Sequence, residues 1–174
     1  MRTRHARSHT AIAAICGIGA LASVNACGKA TQITFELNTD LPCSSVRGAA
    51  IAIGKPGTIE RAAPATATTT CVDGNIGSIA TVPSGDERAT AAIRVTLGID
   101  VPVELCTAER KYEGCVVARR EIAFIPGERL RVPIGLYLAC KNVPCDERTT
   151  CKSGTGCIPA SIDPDTTPMP RSMI

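Results

Sequence analysis

The chain has 174 residues, with 19 Lys and Arg against 16 Asp and Glu, two Tyr, two Phe and no Trp. Both histidines, His5 and His9, lie among the first ten residues. Beyond them the chain cannot build a Ser-His-Asp or Cys-His pair or bind zinc or copper through imidazole, and its few aromatic rings argue against stacking on nucleic-acid bases.

The first 27 residues have the organisation of a bacterial export signal. Arg2, Arg4 and Arg7 precede an apolar run at 11–24, and the small residues before Cys27 resemble a lipoprotein cleavage site. The run has 14 residues, fewer than the about 20 that span a bilayer. We therefore predict a signal peptide at 1–26 and a lipid on Cys27. Ordinary secretion after cleavage at the same site is the alternative.

The number of cysteines favours the lipid. The chain has ten cysteines; Cys16 would leave with the signal, and the remaining nine are an odd number for an oxidising compartment. If Cys27 carries a lipid, an even set is left to form disulfides: Cys43, Cys71, Cys106, Cys115, Cys140, Cys145, Cys151 and Cys157. By resemblance to bacterial lipoproteins, Gly28 favours the outer membrane. We expect a lipid-anchored protein at the outer membrane or cell surface, or alternatively a periplasmic or secreted one.

Cleavage would also change the charge balance. The signal holds three of the 19 basic residues and none of the acidic ones, which leaves 16 of each sign. Nucleic-acid binding depends on a basic surface that releases counterions, so we expect no nucleic-acid partner. The expected partners are the membrane, through the lipid, and an envelope or extracellular protein.

Apolar and polar residues alternate with period two along much of the remaining chain, which is typical of half-buried strands. The clearest runs are 33–37, 89–99, 116–124 and 130–138, and weaker ones are 49–53, 68–72 and 76–82. The second clear run continues in phase to Leu105, with a bend at 98–102. These runs predict an all-β fold, an antiparallel β-sandwich of about seven to eight strands.

Two local features refine this prediction. Ile125-Pro126-Gly127-Glu128 fits a type II turn and predicts a hairpin between the two last runs. Pro133 inside a run predicts an edge strand or a bulge. We expect a sandwich domain at 27–139, a cysteine-rich appendage at 140–159 and a disordered, Pro-containing tail at 160–174.

The cysteine spacing predicts two bonds. Cys106 and Cys115 flank a polar loop between strand candidates, at a distance that a hairpin can bridge. Cys43 and Cys71 then pair by default. The last four cysteines could form a zinc site or a disulfide knot; export favours disulfides, whose connectivity stays open among three possibilities. This cluster is either a staple for the last strand, which we favour, or a recognition knob.

Other polar residues give weak signals. The acidic pairs Asp86-Glu87 and Asp146-Glu147, the looser pair Asp163 and Asp165, and the calcium-like Asp73-Gly74-Asn75 all fit ordinary turns better than catalysis or metal binding. We expect no cofactor and no metal.

Four arginines surround the predicted hairpin. Arg119, Arg129 and Arg131 have outward parity, and Arg120 interrupts an apolar face. The outward parity of Arg119, Arg129 and Arg131 predicts a solvated strand face. The alternative is a stripe of basic residues that binds a partner.

Three segments carry a family resemblance: TQITFELNTDLPC, VVARREIAFIPGERLRVPIGLYLAC and CKNVPCDERTTCKSGTGC. Through them the chain resembles uncharacterised predicted lipoproteins of high-GC Gram-negative bacteria. The resemblance implies an immunoglobulin-like or transthyretin-like β-sandwich with a cysteine-rich end, and no activity or functional residue. We therefore expect a non-catalytic binding or structural module of the cell envelope, or alternatively a soluble secreted effector or inhibitor, and not an enzyme.

Overall fold

Residues 30–164 are described by a computed structural model. The predicted signal peptide, Cys27 and the last ten residues of the predicted tail lie outside these residues. The strands are β1 Gln32–Thr39, β2 Ala49–Gly54, β3 Thr66–Thr68, β4 Asn75–Thr81, β5 Thr90–Gly98, β6 Cys115–Ala123, β7 Arg129–Leu136, β8 Thr149–Lys152, β9 Gly156–Pro159 and β10 Ser161–Ile162. The helical segments in this part of the chain are single 3-10 turns at Cys43–Ser45, Ile59–Arg61, Val103–Leu105 and Leu138–Cys140.

The strands form two main sheets and a separate hairpin. The small sheet has the order β4-β1-β7, in which β1 pairs antiparallel with β4 and parallel with β7. The large sheet has the order β10-β6-β5-β2-β3. Strands β8 and β9 pair only with each other within the described residues. The predicted all-β sandwich is therefore confirmed, with eight strands in its two main sheets. It is not purely antiparallel as predicted, because the pairs β1–β7 and β10–β6 are parallel.

The core lies between the two main sheets. Alternate residues of β1, β5, β6 and β7 are fully or almost fully buried in one continuous cluster, because side chains of a strand point alternately to its two faces. Phe35 on β1, Leu97 on β5 and Ile134 on β7 are among its largest members. The period-two runs in the sequence mark this inner layer.

The predicted hairpin between β6 and β7 is wrong. The turn forms, since Glu128 N–H donates to Ile125 O at 3.0 Å and Gly127 adopts φ +71°. However, the chain crosses there from the large to the small sheet, where β7 pairs with β1 in the register Ile33↔Leu130. Both runs bury an apolar face, and a sandwich places two such faces opposite each other. Pro133 lies on edge strand β7, as predicted.

Three further segments differ from the sequence prediction. β3 occupies Thr66–Thr68 instead of 68–72. Beyond β5 the chain forms a turn and then the 3-10 turn at Val103–Leu105. Glycine at position 98 permits this turn, since a Cβ there would lie only 2.5 Å from Val101 O. Ser161 and Ile162 are not the start of a disordered tail; they pair with Glu121 and Ile122 of β6.

The cysteine-rich segment covers the outer edge of β6. Asn142 N–H donates to Cys115 O at 3.1 Å, Arg119 N–H donates to Thr150 Oγ1 at 3.1 Å, and Glu121 N–H donates to Ala160 O at 2.9 Å. These bonds satisfy backbone groups that an exposed edge strand would offer to other chains. The segment is thus packed onto the sandwich, and its predicted boundary at residue 140 stays a prediction.

Candidate functional site

The outer face of the large sheet carries a buried group of charges, here called the Glu60 cluster: Glu60, Arg94, Tyr112 and Arg119. Arg94 on β5 and Arg119 on β6 are directly opposite each other, and both are buried. Like charges at paired positions destabilise a sheet. This pair therefore needs a counter-charge, which comes from the 3-10 turn between β2 and β3.

Glu60 supplies that charge through short contacts. Arg119 binds its carboxylate with two groups, Nε to Oε1 at 2.6 Å and Nη2 to Oε2 at 3.1 Å. Tyr112 OH donates to Oε2 at 2.9 Å, and Arg94 Nη1 lies 3.6 Å from the same oxygen. The Arg119 guanidinium also lies 5.7 Å from the centre of the Tyr112 ring, within the range of a cation–π contact.

Arg94 also donates hydrogen bonds to the backbone carbonyls of the turn. Nη1 donates to Ile59 O at 3.1 Å and Glu60 O at 2.6 Å, and Nη2 donates to Ala62 O at 3.2 Å. One arginine thus fixes the whole 59–62 segment against the sheet. Since isolated 3-10 turns are short and weakly bonded, we infer that these contacts hold Glu60 in place.

The contacts within the cluster favour the ionised form of the Glu60 carboxylate. Burial alone would raise the pKa of Glu60, but the hydrogen bond and charge of Arg119, the Tyr112 hydroxyl and the charge of Arg94 hold that pKa below its usual value. Burial and the Glu60 charge raise the pKa of Tyr112. At neutral pH the carboxylate is therefore ionised and the phenol is protonated.

A cavity of about 320 Å³ opens beside the cluster. Its lining includes Glu60, Arg94 and Tyr112 from the cluster, two threonines, and small apolar residues such as Ala50 and Val103. The exposed residues Glu104 and Glu109 also line the cavity. Arg94 and Arg119 neutralise Glu60, so the remaining negative charge beside the cavity comes from the exposed Glu104 and Glu109 and favours a neutral or cationic molecule over an anion.

Two disulfides shape this side of the molecule. Cys106 and Cys115, with Cα atoms 6.0 Å apart, close the loop that carries Glu109 and Tyr112, and Cys106 itself lines the cavity. Cys43 and Cys71, 5.4 Å apart, join the segments after β1 and β3. Both are the pairs expected from the sequence.

The last four cysteines form interleaved bonds. Cys140 is bonded to Cys151 and Cys145 to Cys157. Cys140 and Cys151 lie in the main core cluster, and Cys145 packs against it. This arrangement is one of the three left open by the sequence, and it ties the segment that covers β6 to the sandwich core. Four disulfides suggest an exported, non-cytoplasmic protein.

The three arginines predicted on a solvated face, Arg119, Arg129 and Arg131, lie in different environments, as does Arg120, which was predicted to interrupt an apolar face. Arg119 has the expected outward parity but is buried in the Glu60 cluster, since a loop covers this face. Arg129 and Arg131 lie on the small sheet, where Arg131 pairs with Glu36 at 2.6 Å. Arg120 has core-facing parity, is partly buried and donates to Arg119 O at 2.9 Å; burial lowers its pKa.

The acidic pairs show turn chemistry. Asp86 Oδ1 accepts from the Arg88 N–H and Asp146 Oδ1 from the Arg148 N–H, each at 2.9 Å. Hydrogen bonds from Thr149 and the backbone lower the pKa of Asp146. Asp73 adopts φ 50° in the turn before β4. None of these groups contributes to the Glu60 cluster.

Sequence reasoning missed the Glu60 cluster. Arg94 and Arg119 lie at outward parity on their strands, which predicts solvated side chains, so the sequence pattern does not show that they are buried and need a counter-charge. Glu60 itself lies in an irregular segment with no periodicity, and Tyr112 lies within a polar loop. Only the tertiary arrangement shows which acid is used.

Residues 30–164 contain no group of three His, Cys, Asp or Glu side chains placed to hold a metal ion. A helix long and apolar enough to cross a bilayer is not found in the same part of the chain. Comparison of the chain with protein-family models, with curated proteins and with solved structures gave no match.

Proposed function

We propose that this chain is an exported cell-envelope protein, anchored by a lipid on Cys27, that acts as a non-catalytic binding or structural module. The lipoprotein-like start of the sequence and the resemblance to predicted lipoproteins support the anchor. The arrangement of cysteines is the observation that carries it.

All eight cysteines of residues 30–164 are bonded to one another. None of them is therefore available to Cys27. A cysteine without a partner in an oxidising compartment is a reactive thiol, and acylation removes that thiol. The pairing thus supports a lipid on Cys27 more strongly than the odd number of cysteines does alone.

The Glu60 cluster supports a non-catalytic role. A general acid or base works best with a pKa close to the operating pH, whereas the pKa of Glu60 is lowered and that of Tyr112 is raised. Their polar atoms also bond to one another instead of pointing at a free position in the cavity. The cluster suits a rigid wall of a binding surface, held by the Cys106–Cys115 bond.

The test is the intact mass of the protein extracted from its native membrane, alkylated with and without prior reduction. We expect a chain that begins at Cys27 with a lipid-sized mass excess, and eight alkylations that occur only after reduction. A Cys27→Ser variant is the matched control, and it should leave the membrane fraction while keeping the four disulfides. An unlipidated chain with one thiol that reacts before reduction would contradict the anchor and indicate a soluble secreted factor.

A further inference from the structure

The start of the described chain is fixed to the turn between β6 and β7. Gly127 N–H donates to Thr31 Oγ1 at 2.9 Å, and Gln32 N–H donates to Glu128 O at 3.0 Å. The chain therefore belongs to the folded sandwich from Thr31 onward. Only Gly28, Lys29 and Ala30 lie between that residue and Cys27.

This short connection limits the distance between a lipid on Cys27 and the sandwich. The four residue steps from Cys27 to Thr31 cover at most about 14 Å when fully extended. That length is shorter than β1, which at about 3.3 Å per residue measures roughly 25 Å. The lipid therefore determines which end of the sandwich is near the bilayer.

That end, here called the anchor end, consists of segments 55–58, 82–89 and 124–129. The strand registers place them together: Ile33 pairs with Thr81 in the small sheet, and Thr90 pairs with Ala123 in the large sheet. The turn at 124–128 joins the two sheets there. A cleft of about 760 Å³ lined by Lys55, Val82, Phe124 and neighbouring residues opens at the same place.

The surface of the anchor end has nearly equal numbers of basic and acidic residues and carries one prominent apolar side chain. Its three segments contain three basic and three acidic residues: Lys55, Arg88, Arg129, Asp86, Glu87 and Glu128. Besides the three segments, Asp163 lies at this end, because it follows Ile162, which pairs with Ile122 near the end of β6. Val82 is 62% exposed at the tip of β4. With Asp163 included, this end has one net negative charge and gains nothing from anionic lipids, so its approach to a bilayer depends on the tether and on apolar contact.

The opposite end of the sandwich differs. The other large apolar side chains that are exposed within residues 30–164 all follow or precede strand ends there: Val72, Leu105, Tyr137 and Leu138. Val72 and Val82 flank the same strand, β4, whose seven residues measure roughly 20 Å. The two valines thus mark the two ends.

We propose that the anchor end lies against the bilayer that holds the lipid of Cys27, with Val82 at the level of the headgroups. The loops bearing Val72, Tyr137 and Leu138 then point away from the membrane and form the surface open to partners. This inference rests on the proposed lipid anchor, and it adds the orientation of the module.

The absence of Trp from the chain makes a direct test possible. Val82→Trp and Val72→Trp are matched variants, because the two valines are 62% and 63% exposed. Each full-length protein is purified in acylated form and reconstituted into phosphatidylethanolamine–phosphatidylglycerol vesicles that contain lipids with a nitroxide on the headgroup, which quenches nearby indole rings. Co-sedimentation and intact mass report the anchor independently of fluorescence.

We expect Val82→Trp to lose most of its emission in the nitroxide-labelled vesicles and to shift to shorter wavelength, and Val72→Trp to change in neither respect. Equal or no quenching of both variants in protein that sediments with vesicles would overturn the orientation and leave the anchor intact. Stronger quenching of Val72→Trp would reverse the orientation. A chain that is unacylated and stays in the supernatant would overturn both proposals.

Discussion

The two faces of the large sheet are both covered, but by different means. The inner face, with Ile93, Val95 and Leu97, packs against apolar side chains of the small sheet. The outer face, with Arg94 and Arg119, is covered by loops that an ion pair and a disulfide hold down. Apolar burial is non-directional and follows the pleat, whereas the outer layer depends on a few specific partners. The inner layer should therefore be costly to disturb at any of its large residues, and the outer layer only at its few partners.

The inner layer should give the largest loss of stability. Phe35 is completely buried at the centre of the core, and Phe35→Ala removes its contacts and leaves a cavity. We expect a decrease of about 3–5 kcal/mol in the free energy of unfolding, measured by denaturant titration with the disulfides intact. The exposed Val72→Ala is the control and should stay within about 0.5 kcal/mol. A small loss at Phe35 would mean that the two sheets do not pack as described.

The carboxylate of the Glu60 cluster should come next. Glu60→Gln leaves Arg94 and Arg119 buried opposite each other without a counter-charge. Because Glu60 keeps 18% of its side chain exposed, we expect the lower end of the range for a broken buried pair, about 3 kcal/mol. Glu36→Gln removes the exposed partner of Arg131 and serves as the control, with an effect below about 1 kcal/mol.

A double-mutant cycle sharpens this prediction. If the loss comes from the unpaired Arg119, Glu60→Gln should cost less in an Arg119→Met background. Equal losses in both backgrounds would indicate that the carboxylate acts through its other two partners, Arg94 and Tyr112, and not through Arg119.

The disulfide beside the cluster should have an effect of slightly smaller size. The Cys106–Cys115 bond closes a loop with a sequence separation of 9, for which chain entropy gives roughly 2–3 kcal/mol. The double variant Cys106→Ser/Cys115→Ser should lose that amount in thermal or denaturant unfolding. Hydrogen exchange should also rise at the backbone N–H groups of 107–114 while β1 stays protected. Uniformly faster exchange would contradict the separation of the outer loop from the inner core.

The same contrast explains how far the sequence predicts this molecule. The sequence predicts the buried residues of the inner layer, because burial imposes period two on Ile33, Phe35 and Leu37 and on the even residues of β7. The partner of each strand was not: β6 and β7 both show a buried face, and nothing in their own residues states that β7 pairs with β1. The contacts of the outer layer could not be predicted from the sequence, for a different reason. Arg94 and Arg119 have the outward parity of solvated residues, and Glu60 lies far away in the sequence in the segment between β2 and β3.

The cysteines fall between these two cases. Cys106 and Cys115 flank one short loop, and local geometry predicts their bond. The four C-terminal cysteines all lie within one short segment for which the sequence predicts no strand, so no pair of predicted strand ends selects among their three possible pairings. Their observed connectivity follows from the packing of Cys140 and Cys151 against the core, which spacing does not encode.

Acid should lower the free energy of unfolding by less than the substitutions above, and the part of this loss that is due to Glu60 can be measured separately. The pKa of Glu60 in the folded protein lies below its ordinary value of 4.5, so the carboxylate stabilises the fold above that pH. This contribution is lost as the pH falls through the folded-state pKa. We expect the stability of the wild type to fall more steeply below pH 4.5 than that of Glu60→Gln, measured by urea titration across pH 3–7. Parallel curves would assign the acid sensitivity to other carboxylates.

The smallest effect should come from the ion pair between Lys141 and Asp100, at 2.9 Å on the surface. It contains the same kinds of groups as the Glu60 cluster, but its side chains are 31% and 53% exposed, so water screens their attraction and would solvate either charge alone. Lys141→Ala should change the free energy of unfolding by less than about 1 kcal/mol. A loss as large as that of Glu60→Gln would show that proximity rather than burial decides the strength of ion pairs in this protein. The difference between these two substitutions therefore measures what the covering loops add to the outer face of the large sheet.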